Sequence, residues 1–409
     1  MTSPEYDIII FGATSFVGQI LTGYMLDTYG NNNDFKWAIA GRSEEKLQAV
    51  KTKYQAENIP HFIADAANEE QLTKIAQKTK VVVSTVGPYA LYGEPLIKVC
   101  TKLGTDYCDL TGEIQWYKRM VTKYEQDAKK TGARIVHCSG FDSIPSDLGV
   151  LFLQTKAKQL FGSTCQQVKM RVAKLKGGAS GGTIASMVNI AKEAAKDPEL
   201  RKELKNPYSV CPENHNFKSR QDNVSGAVFD EDFNCWVGPF VMGIVNTRVV
   251  HRSNALLDNA YQEQFKYDEA MMMGQDKKGK SRARNMSWGL SAFMVLAAIK
   301  PTRWVLERFI LLKPGQGPTE EEQLKGHYDM RFMGIHENGQ KIVTKVTGDR
   351  DPGYGSTAKM LGQAAVCLSK ISKQEKEGGF WTPASIYGER FIQALTEHSG
   401  LTFEVLDKK

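Results

Sequence analysis

The sequence predicts an α/β protein: an N-terminal doubly wound parallel sheet (residues 1–150), a second, α+β domain (151–350), and C-terminal helices and a strand (351–409) that pack back between the two. Three observations predict it. The run Asp7-Ile8-Ile9-Ile10-Phe11 passes straight into a glycine turn and then a helical pattern. Short apolar strands and helices then alternate up to about residue 150. From about residue 165 the rhythm changes, and Val168, Met170 and Val172 alternate with polar residues, as on a sheet with one wet face.

The first run has the length and continuity of a strand buried on both faces. Gly12-Ala13-Thr14-Ser15-Phe16-Val17-Gly18 follows, and Val17, Ile20, Leu21 and Tyr24 recur at helical spacing. Strand, glycine turn and helix open a dinucleotide-binding fold. Gly12 permits the tight turn, Gly18 lets helix and strand approach, and the free N–H groups of the helix start face a pyrophosphate. The G-x-x-G-x-x-G variant puts glycine at 15, where this chain has Ser15; its Cβ narrows the approach to phosphate and its hydroxyl offers a donor instead. An ordinary βα turn shares this pattern, so the second strand matters. Trp37–Ala40 ends in Gly41-Arg42-Ser43. An NAD site wants an acidic residue here for the ribose hydroxyl, whereas a guanidinium suits a 2′-phosphate. Ser43 caps the next helix beside it. The expected cofactor is NADP.

The next helix carries Leu47, Val50 and Tyr54, and His61–Asp65 is the third strand. Asp65 at its end either meets the adenine ring or caps a helix. Leu72, Ile75 and Ala76 mark another helix, and Val81–Val86 the fourth strand. Val86, Gly87, Pro88 and Tyr89 leave it near the switch point, where the nicotinamide is expected. Pro95 opens a helix that Gly104 closes. Tyr107–Leu110 is the fifth strand, a helix with Trp116, Met120 and Tyr124 runs to Gly132, and Ala133–Cys138 is the sixth strand. Its exit, Ser139–Asp147, reads as a loop rich in groups that exchange protons. Tyr89, Asp142 and Ser143 are the candidate catalytic acids or orienting groups at this edge. Glu94 and Glu113 read as helix-start carboxylates, and Cys138 as core.

In the second half, Gly177–Thr183 is a glycine loop before a helix, an anion site or a hinge. Residues 200–238 read as irregular. Phe240–Arg252 reads as a strand crossing toward Tyr261–Tyr267, and on it Arg248 and Arg252 meet either water or a carboxylate. The basic run Lys277–Arg284 precedes the apolar stretch Trp288–Ile299; together, 277–299 suggest peripheral contact with anionic lipid, against a solvated loop followed by a core helix. Gly315–Pro318 is a break. Tyr328–Ile335 and Lys341–Thr347 form a hairpin around Glu337-Asn338-Gly339. A helix after Tyr354–Thr357, another up to Glu397 and a strand at Phe403–Leu406 finish the chain.

Composition narrows the class. With 41% hydrophobic and 24% charged residues the chain can bury a large core, and nothing suggests disorder. The net charge of +7 favours anionic ligands or membrane surfaces. The seven cysteines are scattered without C-x-x-C, which reads as reduced thiols in the cytoplasm. The histidines show no ligand spacing, so no metal is expected. The most apolar window falls short of the roughly 20 residues that span a bilayer, and the immediate first strand leaves no room for a signal peptide. The basic residues lack interleaved aromatics, so no nucleic acid is expected. The partners expected are a small-molecule or acyl-lipid substrate and a second copy of the chain in a homodimer.

FGATSFVG, AGRSEEKL, VGPYALYGEP, YCDLTGE and SGFDSIPSDLG, in that order, resemble the saccharopine dehydrogenase-like oxidoreductases, in the branch of the mycobacterial trans-acting enoyl reductases. SGGTIASM (Ser180–Met187), FVMGIVNTRVVHRSNAL (Phe240–Leu257) and PGQGPTEEEQ (Pro314–Gln323) extend the likeness over nearly the whole chain. Ser15 departs from the glycine common in that family's first turn. The resemblance implies an NADP-binding Rossmann domain, a second α+β domain, and reduction of a carbon–carbon double bond in a polyketide or fatty acyl chain. In eukaryotic members it implies association with membranes or lipid droplets. True saccharopine dehydrogenases act on an amino-acid imine, and their substrate residues find no match here. The leading expectation is an NADPH-dependent enoyl reductase. A non-catalytic NADP-binding sensor or scaffold at a membrane and an imine or amino-acid dehydrogenase are the alternatives.

Overall fold

The apolar runs of the N-terminal region build one parallel sheet. In the computed structural model, which describes residues 4–30, 35–178, 180–306, 308 and 317–408, its strands are β1 (Tyr6–Phe11), β2 (Trp37–Gly41), β3 (His61–Ile63), β4 (Thr79–Ser84), β5 (Asp106–Asp109) and β6 (Arg134–Val136). They lie in the order β6-β5-β4-β1-β2-β3, and every neighbouring pair is parallel. This is the doubly wound order, whose winding reverses between β1 and β4. Phe11 pairs with Ala40 on one side and Ser84 on the other, so the carboxyl ends of β1, β2 and β4 emerge side by side. Ile8, Ile9, Ile10, Val81, Val82 and Val83 are buried, which is why these strands show no polar alternation. Gly104 and Gly132 end the helices Glu94–Leu103 and Ile114–Thr131 in the left-handed conformation, as their positions predict.

The second sheet contains β7 (Gln167–Lys176), β8 (Val228–Asp230), β9 (Cys235–Pro239), β10 (Lys266–Gly274), β11 (His327–Ile335) and β12 (Lys341–Gly348). The C-terminal stretch serves both sheets: β13 (Gly379–Trp381) pairs with β6, and β14 (Leu401–Lys408) with β12. The second sheet runs β14-β12-β11-β7-β10-β9-β8. Within it β7 and β10 are parallel and the other pairs antiparallel. The β11–β12 hairpin closes as predicted, with Ile335 opposite Lys341 and Gly339 at φ 87°.

The structure corrects four readings. Phe240–Arg252 is not a strand; Gly243–Leu256 is a helix. Val245, Asn246, Arg248, Val249, Val250, His251 and Arg252 are all buried, so the helix has no polar face to reveal its period, and burial overrides the β-branched composition. At 277–299 the alternative of a solvated loop before a core helix is the one excluded: Lys277–Arg284 forms the first turns of the helix Lys277–Ala298, capped by Asp276, whose carboxylate accepts from Gly279 N at 2.8 Å. The exit loop after β6 is shorter than expected, because Pro145 lies in the first turn of the helix Ile144–Phe161 and Asp147 is inside it. The stretch 200–238 holds the end of the helix Pro198–Lys205 and then β8 and the start of β9. The expected break at Gly315–Pro318 lies partly outside the described residues.

Candidate active site

The carboxyl ends of β1, β2 and β4 open into a cavity of about 1100 Å3 that continues to the helices of the second sheet. The turn after β1 forms its floor. Gly12 has φ 89°, and a Cβ there would lie 2.6 Å from Val86 Cγ2 and 2.8 Å from Thr85 Oγ1. A Cβ on Gly18 would lie 2.2 Å from Gly12 O. Both glycines are required by space, as the strand–turn–helix reading expects. Ser15 has φ −69°, so it needs no glycine; its Oγ accepts from Gly18 N at 2.9 Å and caps the helix Phe16–Tyr29.

Arg42, Ser43 and Lys46 line the outer end of the cavity beside Asp65. Arg42 is exposed, and Ser43 Oγ accepts from Lys46 N at 3.3 Å as the cap of the helix Glu44–Lys53. The Asp65 carboxylate accepts from Ala67 N at 2.8 Å, which fixes the turn after β3. Lys46 escaped the sequence reading. It lies in the first turn of the helix that follows Arg42, so two cations line the cavity at the end of β2. A glycine cradle with the first N–H groups of a helix, followed by paired cations, fits a dinucleotide that carries an extra phosphate.

Val86, Gly87, Pro88 and Tyr89 line the middle. The Tyr89 ring is buried against Trp116, and its hydroxyl donates to Ser84 O at 2.9 Å. Burial pushes this phenol well above its ordinary value, so it is a reluctant acid with its proton already engaged. Glu113 accepts from Tyr89 N at 2.7 Å, from Ala90 N at 3.2 Å and from Ser186 Oγ at 3.1 Å, and so joins the sheet edge to the helix Gly181–Lys196. Ser143 is fully buried, donates to Asn246 Oδ1 at 3.1 Å and does not line the cavity. Asp142 is different. Its carboxyl lines the cavity over Gly112, has no hydrogen-bond partner among the described residues, and is raised by burial to about 7. Of the three catalytic candidates it alone keeps an unengaged polar group at the cavity.

The far wall comes from the second sheet and its helices. Met187, Ile190, Leu290 and Met294 make it apolar. Glu269 on β10 also lines it, accepting from Tyr267 Oη at 2.6 Å and Asn246 Nδ2 at 2.9 Å, and burial raises it to about 7. The one sequence signal for Glu269 is the Asp268-Glu269 pair set between Tyr267 and the apolar run Ala270–Met273. Arg248 lines the wall too, and both Arg248 and Arg252 are buried rather than exposed to water. The glycine loop Gly177–Thr183 has two of its donors occupied: Thr183 N by the Ser180 hydroxyl at 3.0 Å and Gly181 N by the Tyr354 hydroxyl at 2.8 Å.

The doubly wound order, the glycine turn, the paired cations and the chamber beyond them together define an NADP-dependent oxidoreductase of the Rossmann class. Residues 8–136 match the family described as the saccharopine dehydrogenase NADP-binding domain. A Mycobacterium tuberculosis protein with trans-acting enoyl reductase in its name is 35% identical over 412 residues, covering 96% of each chain. The trans-acting enoyl reductase of Mycobacterium ulcerans is 33% identical over 410 residues with the same coverage. The chain belongs to the saccharopine dehydrogenase-like family, and NADP is its cofactor. Its fold is shared with the apo saccharopine dehydrogenase (L-Glu forming) of Saccharomyces cerevisiae, at TM-score 0.55 and 12% identity over 98% of this chain and 100% of that one.

Proposed function

We propose that the protein reduces an activated carbon–carbon double bond in an apolar acyl substrate of lipid or polyketide type, with NADPH as reductant. The observation that carries the reading is Asp142, an unpartnered carboxyl on the cavity wall opposite an apolar lining. The names of the relatives support the choice of an enoyl group.

When bound, NADPH supplies the hydride. The rest falls to this chain. The Gly12–Gly18 turn holds the pyrophosphate, with Ala13, Thr14, Phe16 and Val17 shaping it, and Arg42, Ser43 and Lys46 hold the 2′-phosphate. Asp65 borders the adenosine, and Val86, Gly87, Pro88 and Tyr89 shape the nicotinamide end. Asp142 keeps its proton near neutral pH because burial disfavours its anion. It delivers that proton as negative charge develops on the substrate. Met187, Ile190, Leu290 and Met294 take the acyl chain and exclude water.

The helix Lys277–Ala298 supports a peripheral lipid contact. Ser287, Leu290, Ser291 and Met294 on one face line the cavity, while Trp288 on another is 73% exposed and Trp304 beyond it 60% exposed. Lys277, Lys278, Lys280 and Arg282 occupy the first turns of the helix. Apolar side chains flanked by cations suit an anionic membrane surface. Among the described residues no helix is long and apolar enough to cross a membrane.

The reading is tested by following NADPH oxidation against a panel of 2-enoyl thioesters, imino acids and ketones. Steady oxidation with the enoyl group and a saturated product by mass spectrometry is expected. Turnover confined to imino acids, or tight NADPH binding with no turnover anywhere, overturns it in favour of a dehydrogenase or a sensor.

A further inference from the structure

Four arginines are buried among the described residues. Arg134 pairs with Asp106, Arg171 with Asp230 and Asp268 at 2.7 Å each, and Arg252 with Glu125 at 3.5 Å. Arg248 is the exception. It is 6% exposed, and among the described residues no carboxylate lies within ion-pair distance of it. Its Nη1 donates to Ile244 O at 2.7 Å and to Thr247 Oγ1 at 3.3 Å, its Nη2 donates to Leu204 O, and its Nε has no partner. A buried charge without a counter-ion is costly, so proteins rarely keep one unless something supplies the opposite charge.

The surroundings show where that charge would come from. Arg248 lines the cavity, and so does Lys205, next to the carbonyl that Arg248 holds. The same wall includes the start of the helix Gly243–Leu256, where Met242 provides no side-chain cap. Asp222 is also on the cavity wall, and Asp142 lies over Gly112, where Met242 approaches it. Burial alone lowers Arg248 to about 10, and Arg248 contributes with burial to holding His251 down at about 3. Both directions describe a desolvated positive corner beside an apolar chamber.

We propose that Arg248 anchors a free carboxylate that the acyl substrate carries apart from its activated double bond, with the aliphatic chain lying along Met187, Ile190, Leu290 and Met294. The proposal rests on the reading of this cavity as the substrate chamber. The carboxylate serves as an anchor distinct from the group that Asp142 faces.

Calorimetric titration of the NADP+-loaded protein with decanoate and with decanol tests it. Decanoate is expected to bind about tenfold or more tightly than the alcohol. Arg248→Met loses that preference, Arg248→Lys keeps part of it, and NADP+ affinity is the same in all three proteins. Equal binding of acid and alcohol to the wild type overturns the anchor, as does a preference that survives in Arg248→Met. Should Arg248→Met fail to fold, Arg248→Gln, which keeps hydrogen-bonding groups without the charge, takes its place, and a preference that survives in it overturns the anchor. Enoyl turnover without carboxylate preference sinks only the anchor. Carboxylate preference without any enoyl turnover sinks only the reductase reading.

Discussion

The Ser15 hydroxyl lies 2.9 Å from the Thr85 hydroxyl and ties the turn after β1 to the end of β4. Thr85 donates onward to Gly12 O at 2.9 Å, and Ser15 accepts from Gly18 N at 2.9 Å. Each hydroxyl has one proton, so with the Thr85 proton directed to Gly12 O the Ser15 proton is directed to Thr85, and that bond competes with a phosphate for it. Ser15→Ala is therefore expected to cost stability, about 1 kcal/mol in urea unfolding, while NADPH affinity changes little. A large loss of affinity with unchanged stability contradicts this assignment.

Arg42→Ala is expected to weaken NADPH by roughly 1.5–3 kcal/mol, the value of a charge-assisted hydrogen bond, and NADH hardly at all. Lys46→Ala follows the same pattern with a smaller effect, since an ammonium lacks the bidentate fork of a guanidinium. Fluorescence titration with both cofactors checks this. Equal losses for both refute the 2′-phosphate site.

Gly12→Ala meets two obstacles: a φ of 89°, and Val86 and Thr85 atoms closer than 3.0 Å to the new Cβ. Backbone strain of about 1–3 kcal/mol plus overpacking is expected. Thermal unfolding reads the destabilisation, and calorimetry should find NADPH binding abolished or strongly weakened.

Burial raises Asp142 to about 7, above the ordinary carboxyl value of 3.8. The folded state then holds a proton that the unfolded state releases. Its contribution is fully present below about pH 4 and is lost as pH rises through about 7. Asp147 and Glu269 have the same sign, and buried His251 the opposite one. The difference between wild type and Asp142→Asn isolates the single group. The variant should be more stable at pH 8 by roughly 1–3 kcal/mol, and the advantage should vanish by about pH 4.

Much of the first sheet was legible in the sequence because its strands are buried on both faces and its turns need glycine. Gly12 and Gly18 follow from those constraints and Arg42 from its place at the end of β2; the structure sets Gly12 and Arg42 on the cavity wall and packs Gly18 against Gly12 O beneath it. Lys46 carries no such signal, because on an amphipathic helix it looks like any solvated lysine. The substrate side was harder. The helix Gly243–Leu256 is buried nearly all round, so its period does not show in the sequence and the β-branched run around Arg248 reads as a strand. Met187, Arg248, Glu269 and Met294 come from distant parts of the chain and meet only through the second sheet, so no local pattern announces them.

The most direct measurement is the rate of NADPH oxidation with a 2-enoyl thioester, from about pH 6 to 9, for wild type and Asp142→Asn. Wild-type turnover should fall as pH rises past about 7, as the partly buried carboxyl of Asp142 loses its proton. The variant should be slower by about a hundredfold or more, the usual worth of a positioned acid, with NADPH affinity intact. Equal rates in the two proteins, or no oxidation with any enoyl thioester, would contradict the account.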